Sequence, residues 1–485
     1  MRFDFRQMLE WIRAAEAAAS AHVTPGVVNA PAGVLELNDV VTDSRAVQAG
    51  NVFVALRGER FDAHDFLDAV VAQGASAVVV ERVPAGLAVP AIVVPDSRVA
   101  LGQIAHGWRS AHAIPVIGVT GSNGKTTVKE MIAAILAAAF GEDGYLATRG
   151  NFNNEIGVPL TLFRLQAQHQ AAVIEMGMNH PGEIAVLSRI ATPTLGLVNN
   201  AQREHQEFMT SVEAVARENG AVIRHLAADG VAVFPDDDDF TALWREESGA
   251  RRVLTFGLST HADVSARYQS GVFGSTLQVT VKGPVVSPAQ FKVELAAVGE
   301  HNVRNALAAT ACALGAGIPV QAVVRGLESF APVNGRLQRK QAISGALVID
   351  DTYNANPDSV RAAIDVLAAI EGPRLLVLGD MGEVGDQGPQ FHAEIGAYAR
   401  SRGIPQFFGL GELTKHAVDA YGDARQGVAQ AVHFDDIAAL NAAVAQAAPQ
   451  GATVLVKGSR FMKMERVVQH LVNVESNTQH QQETH

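Results

Sequence analysis

Apolar residues along this chain gather in short continuous runs closed by glycine, proline or a small polar residue, with longer segments of helical spacing between them. Continuous rather than alternating runs mark strands covered on both faces, so the pattern predicts parallel sheets flanked by helices. The first set is Asn51 to Leu56, Ala77 to Glu81 and Ala91 to Val94, with a helical segment near Phe66 to Gln73. It predicts a small α/β domain between about Leu37 and Pro95. A second set, Val116 to Thr120, Ala171 to Glu175 and Thr194 to Asn199, alternates with helices from Ile114 to about Pro332 in the rhythm of βαβ units. Within it, Ala266 to Leu295 changes to alternation, as in Ser275 to Val281 before Lys282-Gly283-Pro284, and predicts an antiparallel appendage. After the connector Pro332-Val333-Asn334-Gly335, the runs Ala346 to Ile349, Arg374 to Leu378, Gln406 to Leu410 and Thr453 to Val456 predict a third, Rossmann-like domain.

The fold class is therefore α/β with three domains, 1–112, 113–332 and 333–471, and a polar, unpatterned tail over 472–485 that predicts disorder. Length agrees, since 485 residues exceed what one hydrophobic core spans. A 48% hydrophobic content with 44 glycines suits repeated strand-turn-helix units. The formal charge of -12, without a Lys/Arg block, argues against nucleic acid as a partner. The N-terminus, Met1-Arg2-Phe3-Asp4-Phe5, lacks the apolar run of a signal peptide, and no later stretch reaches membrane-spanning length uninterrupted, so the expectation is a cytoplasmic protein without membrane insertion. The single cysteine, Cys312, sits in an alanine-rich helical run and reads as core filler.

Charge and composition leave function open; the end of the run Ile114 to Val119 does not. There Gly118-Val119-Thr120-Gly121-Ser122-Asn123-Gly124-Lys125-Thr126-Thr127 leads into the helical segment Val128 to Ala139. Strand, glycine turn and helix N-terminus together make a cradle of backbone N–H groups for phosphates. Lys125 stands where a β/γ-phosphate contact is required, and Thr126 and Thr127 where a Mg²⁺ ligand is. The strict P-loop has glycine at the position of Val119, and here the glycines are 118 and 121. The central block is thus expected to be a nucleotide-binding domain with a variant phosphate loop.

Other polar groups collect at strand ends. Glu175 closes the run Ala171-Ala172-Val173-Ile174 and should emerge at the carboxyl edge of the sheet, where a carboxylate can hold Mg²⁺ or simply be a solvated strand-end glutamate. His205 follows the next strand by a short loop. Asn151-Phe152-Asn153-Asn154 concentrates amides before a helix, which serves turn chemistry or a polar ligand. Asp350-Asp351-Thr352-Tyr353-Asn354-Ala355-Asn356-Pro357 follows Ala346 to Ile349, and two acids, two amides and a tyrosine at one strand end favour a site over a plain N-cap. Asp236 to Asp239 reads as a solvated turn, because adjacent carboxylates repel.

Taken together, these segments resemble the Mur ligase family of peptidoglycan synthesis over nearly the whole chain. The pieces that carry the resemblance are Thr120-Gly-Ser-Asn-Gly-Lys-Thr-Thr127, Asn151-Phe-Asn-Asn-Glu-Ile-Gly-Val-Pro159, Glu175-Met-Gly-Met-Asn179, Gly299-Glu-His-Asn-Val-Arg-Asn305, Asn334-Gly-Arg336, Asp350-Asp-Thr-Tyr-Asn-Ala-Asn-Pro357 and Leu378-Gly-Asp-Met-Gly-Glu383. The second piece and the Tyr-Asn-Ala-Asn-Pro run point to the branch that adds D-alanyl-D-alanine to a UDP-N-acetylmuramoyl-tripeptide. The resemblance implies ATP and Mg²⁺ as cofactors, an acyl phosphate intermediate and a monomer. It implies that Gly121, Ser122, Asn123, Gly124, Lys125, Thr126 and Thr127 bind the phosphates, that Thr126 and Glu175 hold Mg²⁺, and that His205 joins a second magnesium site. His301, Asn302 and Asn305 match the adenine-side segment, and Arg336 and Asp351 reach the nucleotide from the domain junction and the third domain. Lys125, His205, Glu175 and Arg336 form the implied catalytic set. For the uridine nucleotide the matching segment is Thr42-Asp43-Ser44-Arg45. Asn153, Asn154, Asn354, Asn356, Lys457, Ser459 and Arg460 complete the implied substrate set.

The chain departs from the family at two points. The family shows Ala-His-Leu near the histidine, whereas here the run is Arg203-Glu204-His205-Gln206-Glu207. About fourteen residues on, a metal-bridging lysine is replaced by Asn219, beside which Glu218 is the candidate for the missing negative charge. Rival readings are a tripeptide-forming Mur ligase, a folylpolyglutamate synthetase, which lacks a uridine-binding domain, and a P-loop nucleotide switch, which needs no strand-end constellation in a third domain.

Overall fold

The computed structural model describes residues 1–18, 25–204, 207–271, 274–283, 289–422 and 430–472. Its strands gather into sheets of five, nine and six, with a two-stranded pairing of Phe3–Asp4 and Glu36–Leu37. The first sheet runs Gly26–Val28, Ala91–Val93, Ala77–Val80, Asn51–Val54, Asp39–Val41, parallel except for Gly26–Val28. The apolar runs predict its three interior strands. The two edge strands are short, and no apolar run of comparable strength announces them.

In the nine-stranded sheet Val116–Thr120 lies between Ala171–Glu175 and Leu195–Val198. The chain leaves this strand toward one edge and returns on its other side, so its carboxyl end is a topological switch point, where α/β sheets bind ligands. The phosphate loop begins there. The antiparallel segment is not an appendage. Val264–Ser270 pairs in parallel with Arg252–Gly257, and Ser275–Val281 and Gln290–Leu295 add to it antiparallel, extending the same sheet. Alternate residues of Ser275–Val281 are buried, as a strand with one face on the core requires.

The third sheet, ordered Gln338–Gln341, Leu347–Asp351, Thr453–Lys457, Arg374–Gly379, Gln406–Leu410, Gln430–Phe434, is parallel apart from Gln338–Gln341. One apolar core runs through Met8, Ile12, Leu101, Val116, Ile174 and Trp244, so the first two blocks are joined by shared packing. Arg109, buried on the helix Ser97–Ser110, fastens them further by donating to the carbonyls of Ala191 at 3.1 Å and Thr192 at 3.3 Å. The third block packs around two further cores, one of which takes in Val298 of the central block. Cys312 is buried in the helix Glu300–Gly315 and burial pushes its thiol up, in keeping with core filler. The tail beyond Val472 lies outside the described residues.

His392 is buried in the helix Gly388–Ser401, with Nε2 accepting from Met381 N at 2.9 Å and Nδ1 donating to Gly388 O at 2.7 Å. That pairing requires the neutral imidazole, and burial lowers the histidine below its ordinary 6.5. The unfolded chain therefore binds a proton that the folded chain refuses. Stability contributed here is complete above pH 6.5 and should fall by up to ~1.4 kcal/mol per pH unit below it, until the lower folded pKa is reached. Thermal denaturation between pH 5 and 7.5 should show a shallower dependence in His392→Gln than in the parent chain. Equal slopes would dismiss the assignment.

Candidate functional site

A cavity of about 1090 Å³ lies between the central and third blocks, and the phosphate loop forms part of its wall. Gly121 and Gly124 sit at φ of 127° and 82°, in the left-handed region that favours glycine. A Cβ on Gly121 would stand 2.9 Å from Asn199 Cβ, and one on Gly124 would stand 2.5 Å from Asn305 Oδ1. The loop is held open by amides from a helix end and from the loop after Leu195–Val198: Asn219 Oδ1 accepts from Gly121 N at 2.9 Å, Asn200 Oδ1 from Asn123 N at 2.8 Å, and Asn199 Nδ2 donates to Asn123 O at 2.8 Å. Lys125 Nζ folds over its own loop onto Gly121 O at 2.5 Å and Ser122 O at 3.1 Å, and lies 3.3 Å from Glu204 Oε2. Thr127 and Ser122 line the same wall.

Thr126 opens the helix Lys125–Phe140, and its hydroxyl donates to Glu175 Oε1 at 3.2 Å. Asn153 Nδ2 donates to the same oxygen at 2.9 Å, while Glu175 Oε2 is buried without a hydrogen-bond partner. A hydroxyl, a carboxylate and an orphaned carboxylate oxygen beside a phosphate loop are the hard oxygen donors that Mg²⁺ takes. Among the described residues no group of three or more His, Cys, Asp or Glu could hold a metal ion, so a cation there needs phosphate oxygens as well. Arg336 reaches the same place from the connector, its NH2 donating to Thr126 Oγ1 at 3.0 Å and its guanidinium 4.2 Å from the Tyr353 ring centre. Its Nε is buried with no hydrogen-bond partner.

Opposite stands the end of the strand Leu347–Asp351. Asp351 Oδ1 accepts from Leu337 N at 3.1 Å and its Oδ2 from Lys457 Nζ at 2.6 Å; the lysine also donates to Asn354 O at 2.9 Å. Asn356 caps the helix Pro357–Ala368 through Ser359 N at 2.8 Å and donates its amide to Asn123 Oδ1 at 2.9 Å. Ser459 Oγ accepts from Gly382 N at 2.5 Å and donates to Ala355 O at 3.2 Å. Arg460 lines the rim and pairs with Glu465 at 3.2 Å. His301, Asn302 and Asn305 close the floor, where burial lowers His301, Asn302 Nδ2 donates to Val298 O at 2.9 Å and Asn305 Nδ2 to Asn302 Oδ1 at 3.2 Å.

Not every expected residue meets here. Thr42, Asp43, Ser44 and Arg45 do not line this cavity; Arg45 forks onto Asp43, whose carboxyl it holds down at about 2. Asn154 lines the cavity but its Oδ1 accepts from Gly157 N at 2.8 Å, turn chemistry ahead of the helix Gly157–Leu162. His205 lies outside the described residues. Glu218 does not replace the missing lysine's charge. Its carboxylate accepts from Gly182 N and Ile184 N, both at 2.9 Å, at the N-terminus of the helix Glu183–Ala191, where backbone donors and the helix dipole hold it. Asp236 to Asp239 is a turn as expected, with Asp238 Oδ1 accepting from Phe240 N and Asp237 paired to Arg304 at 2.7 Å. Asn199 and Asn200, which hold the loop and line the cavity, are not among the residues singled out from the sequence, although a tandem asparagine at a strand end is a signal.

Family models place the molecule. The Mur ligase family, catalytic domain, matches residues 36–109, the Mur ligase middle domain 119–313, and the Mur ligase, glutamate ligase domain, 335–460. The chain is 39% identical over 439 residues to the UDP-N-acetylmuramoyl-tripeptide–D-alanyl-D-alanine ligase of Escherichia coli K12, covering 90% of this chain and 94% of that one. Among solved structures, MurF from Acinetobacter baumannii superposes with a TM-score of 0.86 at 34% identity, covering 97% of this chain and 99% of that one. MurF ligase from Thermotoga maritima in complex with ADP superposes with 0.79 at 27% identity, covering 89% and 96%.

Proposed function

The chain belongs to the Mur ligase family, and on that premise we propose that it joins D-alanyl-D-alanine to UDP-N-acetylmuramoyl-tripeptide, converting ATP to ADP and phosphate and giving the UDP-muramoyl-pentapeptide precursor of peptidoglycan. The observation that carries the reading is the meeting, across one cavity, of the Lys125 loop with the acids and amides of the strand end Asp351 to Asn356. A carboxylate is a poor acyl donor. In this reading an oxygen of the tripeptide's terminal carboxylate attacks the γ-phosphorus of ATP, and ADP departs. The dipeptide's neutral amine then adds to the carbonyl carbon of the acyl phosphate, and the tetrahedral intermediate expels phosphate and loses one N–H proton, leaving the amide N–H.

Nearly all of this is positioning and charge neutralisation. Lys125 exchanges the loop carbonyls for β/γ-phosphate oxygens, and Arg336, with its unpartnered Nε beside Thr126, faces the same charge. Thr126 and Glu175 would hold Mg²⁺, which supplies charge stabilisation to the phosphates when bound. His205 keeps the second-magnesium role implied by the resemblance. His301, Asn302 and Asn305 suit the adenine side, Asn354, Asn356, Lys457, Ser459 and Arg460 the dipeptide side, and Thr42 to Arg45 the uridine end. One chain supplies every group named, so a monomer suffices, and ATP with a UDP-linked precursor places the reaction in the cytoplasm. Among the described residues no helix is long and apolar enough to cross a membrane.

A folylpolyglutamate synthetase has no use for a uridine-binding domain, and residues 36–109 count against it. A nucleotide switch has no use for the third block's constellation. With ATP, Mg²⁺ and UDP-muramoyl tripeptides ending in diaminopimelate or lysine, ADP should accumulate beyond one equivalent of enzyme only when D-alanyl-D-alanine is added, and the product should have the mass of a pentapeptide. ADP release indifferent to the dipeptide would overturn the reading.

A further inference from the structure

Arg203 belongs to the run in which this chain departs from the Ala-His-Leu of its family, and the proposed reaction makes no use of it. Its side chain crosses from the central block to the third. NH2 donates to Asp358 Oδ1 at 2.7 Å and Nε to Asp358 Oδ2 at 3.2 Å, while NH1 donates to Glu394 Oε2 at 2.8 Å. The backbone N–H adds a bond to Asp358 Oδ2 at 2.9 Å, and the guanidinium lies 5.3 Å from the Phe391 ring centre. Asp358 stands in the first turn of Pro357–Ala368 and Glu394 on Gly388–Ser401, so one side chain pins two helices. The guanidinium and Asp358 are each only 23% exposed, which strengthens the pair relative to a surface ion pair.

The position of these contacts gives them reach. Asp358 is two residues from Asn356, whose amide meets Asn123 of the phosphate loop, and Glu204, next to Arg203, meets Lys125. The third block packs around cores to which the central block adds Val298, so polar contacts of this kind take a large share in where it sits. We propose that Arg203 is a positioning residue that latches the third domain onto the phosphate loop, bringing the dipeptide side of the cavity up to the phosphates. The turnover part of this proposal rests on the ligase reading; the latch itself does not.

The full chain tests both. In Arg203→Ala, kcat should fall roughly tenfold or more while KM for the UDP-tripeptide stays within about twofold, because the latch acts on closure and not on that substrate's binding. Small-angle scattering should show a larger radius of gyration. Arg203→Asp should be worse, since it faces Asp358 and Glu394, and adding Asp358→Arg should recover both kcat and compactness. Arg203→Lys, which keeps the charge without the fork, should fall between. An unchanged kcat and scattering curve in Arg203→Ala, or a charge swap that recovers neither, would overturn the latch. If the parent chain does not turn over the dipeptide, the ligase reading fails while scattering still decides the latch.

Discussion

Alanine in place of Lys125 is expected to cut dipeptide-dependent ADP formation by roughly 10²–10³-fold or more, the scale seen when a preorganised donor to developing charge is removed. The shape of the loop does not depend on this side chain. Among the described residues its Nζ bonds to carbonyls of its own loop and to Glu204, and the loop is shaped independently by Asn199, Asn200 and Asn219. The variant should therefore keep the parent's circular dichroism and melting behaviour while losing turnover. Near-normal activity would show that the phosphate loop had been misassigned, and with it the whole activating half of the reaction.

The largest expected effect on stability comes from a residue that touches no substrate. Gly396 lies in the helix Gly388–Ser401 where it crosses Thr414–Tyr421, and a Cβ there would stand 1.8 Å from the backbone oxygen of Ala417 and 2.6 Å from its carbonyl carbon. On an open helix face, alanine for glycine gains about 1 kcal/mol. Here backbone must move, and overpacking of this kind costs about 1–3 kcal/mol or more, which reverses the sign. The readout can be localised. Trp11, Trp108 and Trp244 are the three tryptophans and all precede the third block. In Gly396→Ala, tryptophan fluorescence should report its urea transition where the parent does, while circular dichroism shows an earlier loss from the third domain. A variant as stable as the parent by both signals would contradict the packing.

What the sequence makes legible is local. The phosphate loop is read from spacing within one turn and helix start, and Asp350 to Pro357 from the density of polar groups at one strand end. Interior strands announce themselves because burial on both faces demands unbroken apolar runs. Edge strands such as Gln338–Gln341 carry no such demand and leave no such trace. The amide scaffold around the loop joins residues 76 to 98 positions apart, which no local pattern encodes. Glu218 shows the same limit from the other side. Adjacency to Asn219 suggested a site, but the helix whose N-terminus it binds has its N-cap, Gly182, 36 positions earlier and settles its orientation. Arg203 looked like a mere departure until its partners, 155 and 191 positions away, came into view.

The common core of the first two blocks also sets where this molecule can be cut and rejoined. Met8, Ile12 and Leu101 pack with Ile174 and Trp244, so a chimera divided between those blocks would expose apolar surface on both halves. The connector before Arg336 offers a cleaner seam, because apart from Val298 what crosses it is chiefly hydrogen bonds and ion pairs: Asn123 with Asn356, Arg336 with Thr126, Arg203 with Asp358 and Glu394. On the proposed function, third domains from relatives should be exchangeable here to redirect which amine is coupled, provided that these few pairings travel with them.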